Sequence, residues 1–213
     1  MMTAMTAIGL YGVLSGIVCG LADLPLEKPG RAVREMPKRG ELRGWWASVP
    51  ESRFVRSFWL TFVGQPGTYL TMWMLAVLMG RSHPGLGLAL KINTFLGAFT
   101  GLICHVYFCL QPLLCQRLWG KRPAEDVRRV VSVLDKVMLP PMAVGFVTLY
   151  LGTTALVAAG ILTGALGVSK WFLLCNPVGA LLLVAPLRLL GLKTPGLLGV
   201  GFALFALVLI AAA

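Results

Sequence analysis

Charged side chains are scarce in this chain of 213 residues. Asp, Glu, Lys and Arg make up 13% of the sequence, whereas hydrophobic residues make up 57% and the mean hydropathy is +0.82. Soluble domains carry about 25% charged residues, so this chain has too few to cover a water-exposed surface. The same composition excludes a disordered chain and a secreted disulfide scaffold. It predicts an all-α, multi-pass membrane protein.

Charge is also absent from the middle of every predicted span. A membrane-spanning helix needs about 20 mostly apolar residues. Six stretches qualify, at roughly 3–22, 57–79, 86–110, 139–162, 170–190 and 194–212. We therefore predict one transmembrane domain over residues 1–213, built as a six-transmembrane-helix bundle. The lack of central Asp, Glu, Lys or Arg argues against a proton pump or a cation-coupled transporter.

Several sequence signatures of chemistry are missing as well. The five cysteines form no C-x-x-C pair, and the two histidines accompany no cluster of carboxylates. This pattern predicts no metal site. The sequence has no phosphate-binding glycine loop and no G-x-S-x-G nucleophile motif. It therefore leaves any cofactor unknown.

The basic residues are distributed unevenly between the two sides of the predicted bundle. Sixteen of the nineteen Lys and Arg residues lie in connections on one side, and the other three are Arg81, Lys91 and Lys170. By the positive-inside rule the richer side faces the cytoplasm, so both termini face away from it. We expect a bacterial inner (cytoplasmic) membrane, with anionic lipid as a partner at the cytoplasmic face. Because the charge serves orientation, we expect no nucleic-acid partner.

The cytoplasmic connections are predicted to be amphipathic. Residues 24–56 are too few for a separate domain and are expected to lie along the membrane surface. Apolar residues at helical spacing mark 127–138, with polar residues on the opposite face. Two interpretations of this segment stay open. It is either an interfacial helix or an early start of the fourth span.

Asp23 and His105 are the candidate catalytic residues. Asp23 ends the first span and His105 lies in the inner half of the third. Each follows a stripe of glycines at four-residue spacing, which favours close packing against another helix. The stripes are Gly12, Gly16 and Gly20, and Gly97 and Gly101. Together the two side chains could form a proton-transfer pair. The structural alternatives are an arginine partner for Asp23 and a backbone carbonyl partner for His105.

Four further residues are candidates for substrate binding. Gln65 lies about two turns into the second span, at a depth similar to that of His105. Gln111 is a second intramembrane amide. Arg53 and Arg56 precede or begin the second span, where a guanidinium can hold an anionic head group. For the amide side chains the structural alternative is an interhelical hydrogen bond.

Four short motifs lie between about residues 10 and 110. They are G-L-A-D-L at 20–24, P-E-S-R at 50–53, Gly64 with Gly67, and G-L-I-C-H at 101–105. In this order they resemble an uncharacterised family of bacterial multi-pass membrane proteins, classified only as a domain of unknown function. The resemblance implies a bundle of six or seven helices. It implies no established activity.

Three functions remain open from the sequence. The first is a non-catalytic bundle that acts as an accessory subunit, an assembly subunit or a scaffold, in a homo- or hetero-oligomer. The second is a membrane-embedded enzyme that acts on a lipid or isoprenoid from the cytoplasmic leaflet. The third is a carrier for a small molecule, with a polar path lined by Gln65, Asn93, His105 and Asn176.

Overall fold

The protein is an assembly of helices, described by a computed structural model over residues 3–27, 44–118, 120–192 and 194–213. Every regular element in these ranges is helical, which confirms the all-α prediction. The helices are α1 (Ala4–Ala22), α2 (Gly44–Ala47), α3 (Ser52–Ser82), α4 (Pro84–Leu118), α5 (Ala124–Phe146), α6 (Thr153–Leu162), α7 (Pro177–Leu189) and α8 (Leu197–Ala212). Short 3-10 helices occupy Leu24–Leu26 and Lys170–Leu174, and a π-helix over Val147–Gly152 joins α5 to α6.

Three helical stretches among the described residues are long and apolar enough to cross a membrane. They are Ala4–Leu26, Pro84–Leu118 and Ala124–Leu162. Helix α3 has 31 residues but is less apolar, and α7 and α8 have only 13 and 16 residues. At 1.5 Å per residue, α7 and α8 are about 20 and 24 Å long, against a hydrocarbon core of about 30 Å. Of the six predicted spans, three are therefore supported by length and composition.

The predicted fourth span begins earlier than expected. Helix α5 starts at Ala124 and continues through the π-helix and α6, so the amphipathic segment and the span form one continuous helix. Val127 and Val131 are buried in a cluster with Phe54 and Cys115. Burying a valine contributes about 1.5–3 kcal/mol, which stabilises these added turns against α3 and α4. The structure thus shows the early start of the span.

The predicted fifth span begins later than expected. A 3-10 helix occupies Lys170–Leu174, and α7 starts only at Pro177. The Asn176 side-chain oxygen accepts hydrogen bonds from the amides of Val178 and Gly179, at 2.7 and 3.0 Å. An Asn cap followed by proline at the first helical position is a favoured helix start. The prediction of one helix over 170–190 is therefore wrong in its first part.

The long helices pack side by side. Helix α3 contacts both α1 and α4, α8 packs on α1 and also contacts α3, and α5 packs on α4. The glycine stripe of α1 makes two of these contacts possible. A Cβ on Gly12 would overlap Thr71 Oγ1 in α3, and a Cβ on Gly16 would lie 2.5 Å from the Ala203 amide in α8. Close packing of this kind requires glycine.

One end of the bundle is filled by a buried apolar cluster. Met72, Leu75, Val157, Phe205 and Leu209 belong to this cluster, which joins α3, α6 and α8. The opposite end contains the end of α1, the start of α3 and the end of α4. Much of the segment 24–56 that we expected along the membrane surface, residues 28–43, lies outside the described residues.

Candidate functional site

A cavity of about 480 Å³ lies among the helices. Residues of α1, α3, α4, α5, the π-helix, α7 and α8 line it. Its lining is mainly apolar at the level of Leu149 and Phe202 and polar towards Asp23 and His105. Ligand pockets typically have volumes of about 300–1,000 Å³ and combine an apolar lining with a few polar groups. The cavity fits this description.

Asp23 is held at the end of α1 by the loop that leads into α8. The Gly196 amide donates a hydrogen bond to the Gly20 carbonyl, 2.7 Å away. A Cβ on Gly196 would clash with Asp23 Oδ2, so only glycine leaves room for the carboxylate. The last glycine of the α1 stripe and the loop glycine together place Asp23 at the cavity wall.

His105 lies next to Asp23 in the wall of the cavity. Its Nδ1 atom is 3.9 Å from Asp23 Oδ1, and both side chains are mostly buried. The structure therefore brings the two candidate catalytic residues together beside the cavity. A separation of 3.9 Å is within the reach of an ion pair but too long for a direct hydrogen bond.

Ser57 determines which imidazole nitrogen faces the carboxylate. Its hydroxyl, fully buried, donates its single proton to the Ala22 carbonyl over 2.6 Å. The serine oxygen is then an acceptor for Nε2–H of His105, 3.1 Å away. Nδ1 therefore faces Asp23 as the nitrogen without a proton.

The side chains of Thr61, Gln65 and Tyr69 continue from Ser57 along one face of α3, one turn apart. All three line the cavity. Thr61 is 4% exposed, and its hydroxyl has no hydrogen-bond partner among the described residues. Of these three residues, only Gln65 was predicted from the sequence to belong to the site. The four-residue spacing of Ser57, Thr61 and Gln65 is a signal that would have pointed to the whole face.

Arg188, at the end of α7, lines the same polar part of the cavity. Its guanidinium lies 3.6 Å from Glu27 Oε1, and its Nε donates to the Thr194 hydroxyl at 2.8 Å. From the sequence, Arg188 was one of the sixteen basic residues that predicted the orientation, and it was not a predicted site residue. Its position in the last turn of a predicted span, on the side of Asp23, was the available signal.

Three of the expected binding residues lie elsewhere. The Arg53 guanidinium donates to the backbone carbonyls of Pro25 and Glu27, which ties α3 to the turn after α1. Arg56 is exposed and Gln111 is buried, and neither lines the cavity. The Gln111 amide donates to Asp135 Oδ1 at 3.4 Å, so it links α4 to α5.

The two asparagines have structural partners. Asn93 Nδ2 donates to the Thr148 carbonyl and to the Thr153 hydroxyl, each at 3.0 Å, and Asn176 caps α7. All five cysteines are free thiols. Within the described ranges no group of three or more His, Cys, Asp or Glu side chains is placed to hold a metal ion.

The comparison with protein families covers the entire chain. The model of DUF6796, a family of unknown function, matches residues 1–213. The chain belongs to DUF6796. This confirms the resemblance to an uncharacterised family that the motifs suggested. No curated protein and no solved structure matches the chain.

The chemistry available to this DUF6796 chain follows from the polar part of its cavity. Asp23 and His105 can exchange a proton with a group bound beside them in the cavity. Thr61, Gln65 and Arg188 can donate hydrogen bonds to oxygen atoms of a ligand. Phe108, together with the apolar walls, can accept a hydrocarbon chain.

Proposed function

We propose that this DUF6796 protein is a membrane-embedded enzyme that transfers a proton to or from a lipid or isoprenoid. The observation that carries the proposal is the position of Asp23 and His105, 3.9 Å apart at the polar end of a cavity of about 480 Å³. A carboxylate that faces an imidazole nitrogen is a common arrangement for general acid–base catalysis.

The proton follows a simple route in this proposal. His105 Nδ1 takes a proton from the bound substrate, and the Asp23 carboxylate stabilises the imidazolium that forms. Ser57 keeps Nε2–H engaged, so the ring does not rotate away from the substrate. The proton then returns to the product, and the pair ends in its starting state.

Arg188 takes the role that the sequence suggested for Arg53 and Arg56. Its guanidinium lies at the cavity next to the catalytic pair, whereas Arg53 is engaged by backbone carbonyls. Arg188 therefore holds the anionic head group of the substrate. Its contact with Glu27 keeps the guanidinium in place.

The scaffold hypothesis has less support from the packing. A scaffold needs unfilled packing faces for its partners, but the glycine stripes are filled within the chain. Gly16 packs on α8, and Gly97 packs on Leu149 of the π-helix. A carrier has less support because only part of its expected polar path lines the cavity. Gln65 and His105 do so, but Asn93 and Asn176 bond to the backbone and do not.

The protein lies in a bacterial inner membrane in this proposal, as a six-span bundle in which α3, α7 and α8 accompany the three longer stretches. The Asp23 end of the bundle is its cytoplasmic side because the Lys- and Arg-rich connections lie there. Both termini then face away from the cytoplasm. The substrate enters from the cytoplasmic leaflet, where anionic lipids contact the basic connections.

Deuterium exchange tests the proton transfer for every lipid of the membrane at once. The purified protein is reconstituted in vesicles of a bacterial lipid extract in D₂O buffer, and the lipids are analysed by mass spectrometry. We expect one lipid class to gain deuterium or to be converted. His105→Gln and Asp23→Asn should slow this change by about 100-fold or more, the range for loss of a general acid or base.

His83→Gln is the matched control, because it replaces the chain's other histidine, at the end of α3 beyond the cavity. It should retain the wild-type rate. Equal deuterium uptake by wild type and His105→Gln would overturn the proposal, and so would the absence of any lipid change with the wild-type protein.

A further inference from the structure

We infer that the substrate is a single-chain amphiphile with an anionic, oxygen-rich head such as a carboxylate, and that Thr61 and Gln65 bind this head. The inference rests on the proposed function and specifies the ligand of the same cavity. Thr61, Gln65 and Arg188 line it at the polar end, beside Asp23 and His105.

Thr61 combines two features that point to a ligand. It lines the cavity, and its hydroxyl, on a side chain that is nine-tenths or more buried, has no hydrogen-bond partner in the part of the chain that the structure describes. Buried polar groups in native proteins are nearly always hydrogen-bonded. A head-group oxygen in the cavity satisfies this hydroxyl, which then donates its proton to the ligand.

The neighbouring groups favour an oxygen-rich head. Gln65 lies one turn beyond Thr61 on α3 and presents an NH₂ donor, and Arg188 presents guanidinium donors. A carboxylate or phosphate offers several acceptor oxygens to such a set. A head without acceptor oxygens would leave the donors of Thr61 and Gln65 unpaired.

The volume of the cavity matches a ligand with one chain. An apolar cavity of about 150 Å³ holds a benzene molecule, so 480 Å³ holds a ligand on the order of 15–20 heavy atoms. A phospholipid with two long acyl chains has more than twice that number. One chain of about fourteen carbons fits, with its tail against Tyr69, Leu149 and Phe202.

Further apolar side chains are available to the tail. Phe146 on α5 and Leu198 on α8 line the same cavity. With Leu149 and Phe202 they offer apolar contacts from three helical segments to the hydrocarbon chain of a lipid.

Binding of radiolabelled tetradecanoate tests the inference. The wild-type protein is placed in nanodiscs of dioleoylphosphatidylcholine, a two-chain lipid, and binding is measured by scintillation proximity against protein-free nanodiscs. We expect saturable binding that unlabelled tetradecanoate displaces. Tetradecyltrimethylammonium, a cation of the same chain length, and dioleoyl phosphatidate, an anion with two chains, should each fail to displace it.

Thr61→Val isolates the head-group contact because valine keeps the shape and removes the hydroxyl. We expect Kd for tetradecanoate to rise about five- to tenfold, the effect of one lost hydrogen bond. Thr94→Val is the matched control. Thr94 is also a buried threonine without a hydrogen-bond partner among the described residues, but it does not line the cavity. Its Kd should equal that of the wild type.

The outcomes separate this inference from the proposed function. An unchanged Kd in Thr61→Val, or displacement by phosphatidate equal to that by tetradecanoate, overturns the inference. His105→Gln should still bind tetradecanoate. If binding follows the expected pattern while the deuterium experiment shows no turnover, the ligand class stands and the enzyme proposal fails. If a two-chain lipid is turned over and tetradecanoate does not bind, the enzyme proposal stands and the inferred ligand class is wrong.

Discussion

At the scale of single residues, the orientation of His105 depends on where the Ser57 hydroxyl places its proton. Ser57 donates it to the Ala22 carbonyl, and this leaves the oxygen to accept from His105. The serine thus links the end of α1, which carries Asp23, to the histidine on α4. Ser57 is buried and does not line the cavity, so it acts as a positioning residue and does not contact the substrate.

Ser57→Ala should release the imidazole from its fixed orientation. In ¹⁵N-histidine NMR of the wild type, we expect His105 to show a protonated Nε2 at neutral pH. The variant should show a mixture of tautomers. The free energy of unfolding of the variant should also be about 1–2 kcal/mol lower, because the Ala22 carbonyl loses its hydroxyl donor.

Ser52→Ala serves as the control for this change, since Ser52 is an exposed serine at the start of the same helix. Its histidine spectrum should match that of the wild type. A single, unchanged His105 tautomer in Ser57→Ala would contradict the positioning role, whatever its effect on stability.

At the scale of helices, the π-helix between α5 and α6 shapes the cavity. A π-helix adds a residue to the turn and frees a backbone carbonyl, and such segments often lie at functional sites. Here Asn93 and the Thr153 hydroxyl both donate to the Thr148 carbonyl, the latter at 2.7 Å. Leu149 and Tyr150 lie within the π-helix and line the cavity. The intramembrane asparagine therefore acts on the site through the shape of its wall.

Asn93→Ala removes both interhelical hydrogen bonds from the π-helix. We expect the thermal unfolding midpoint in detergent to fall, by the equivalent of about 1 kcal/mol, which is the range for hydrogen bonds between membrane helices. Binding of tetradecanoate should weaken too, because Leu149 and Tyr150 lose their support.

Thr154→Val tests whether this effect is specific to the hydrogen bonds. Thr154 follows Thr153 in the same helix, but its hydroxyl is buried and lacks a partner within the described ranges. Removing it should leave the midpoint unchanged or raise it slightly. A drop as large as that of Asn93→Ala would show that any change in this segment is disruptive.

At the scale of the whole molecule, the two ends of the helix bundle differ. The glycines of α1 allow α3 and α8 to pack close to it, α3 and α8 also contact each other, and α5 packs on α4. At one end of the bundle the apolar cluster of Val157, Phe205 and their neighbours fills the gap. At the other end Asp23, His105 and Arg188 remain around open space.

Cysteine labelling in whole cells tests the proposed orientation. In a variant without native cysteines, Ser82→Cys lies at the end of α3 away from Asp23, and Ser48→Cys lies between α2 and α3 at the Asp23 end. Both positions are exposed. A membrane-impermeant maleimide should label Ser82→Cys in intact cells, and Ser48→Cys only after the cells are opened. The reverse pattern would contradict the positive-inside assignment.

The sequence by itself determined the class of protein and the two central residues of the candidate site. Composition alone required long apolar helices, because so few charged residues cannot cover a water-exposed surface. The glycine spacing pointed to the helix faces that carry Asp23 and His105, since small residues mark close packing. Helix bounds were less predictable. Whether α5 begins at Ala124 depended on the burial of Val127 and Val131 by other helices.

Only the tertiary structure decided which distant side chains surround the cavity. Ser57, Thr61 and Arg188 come from two helices whose relative position no local pattern encodes. Arg53 and Arg188 are both basic residues near the end of a predicted span on the same side. The Arg53 guanidinium donates to backbone carbonyls, whereas Arg188 lines the cavity. The physical reason is that hydrogen bonds and burial depend on atoms brought together from segments far apart in the chain. Periodicity identifies the face of a helix, and packing determines what that face meets.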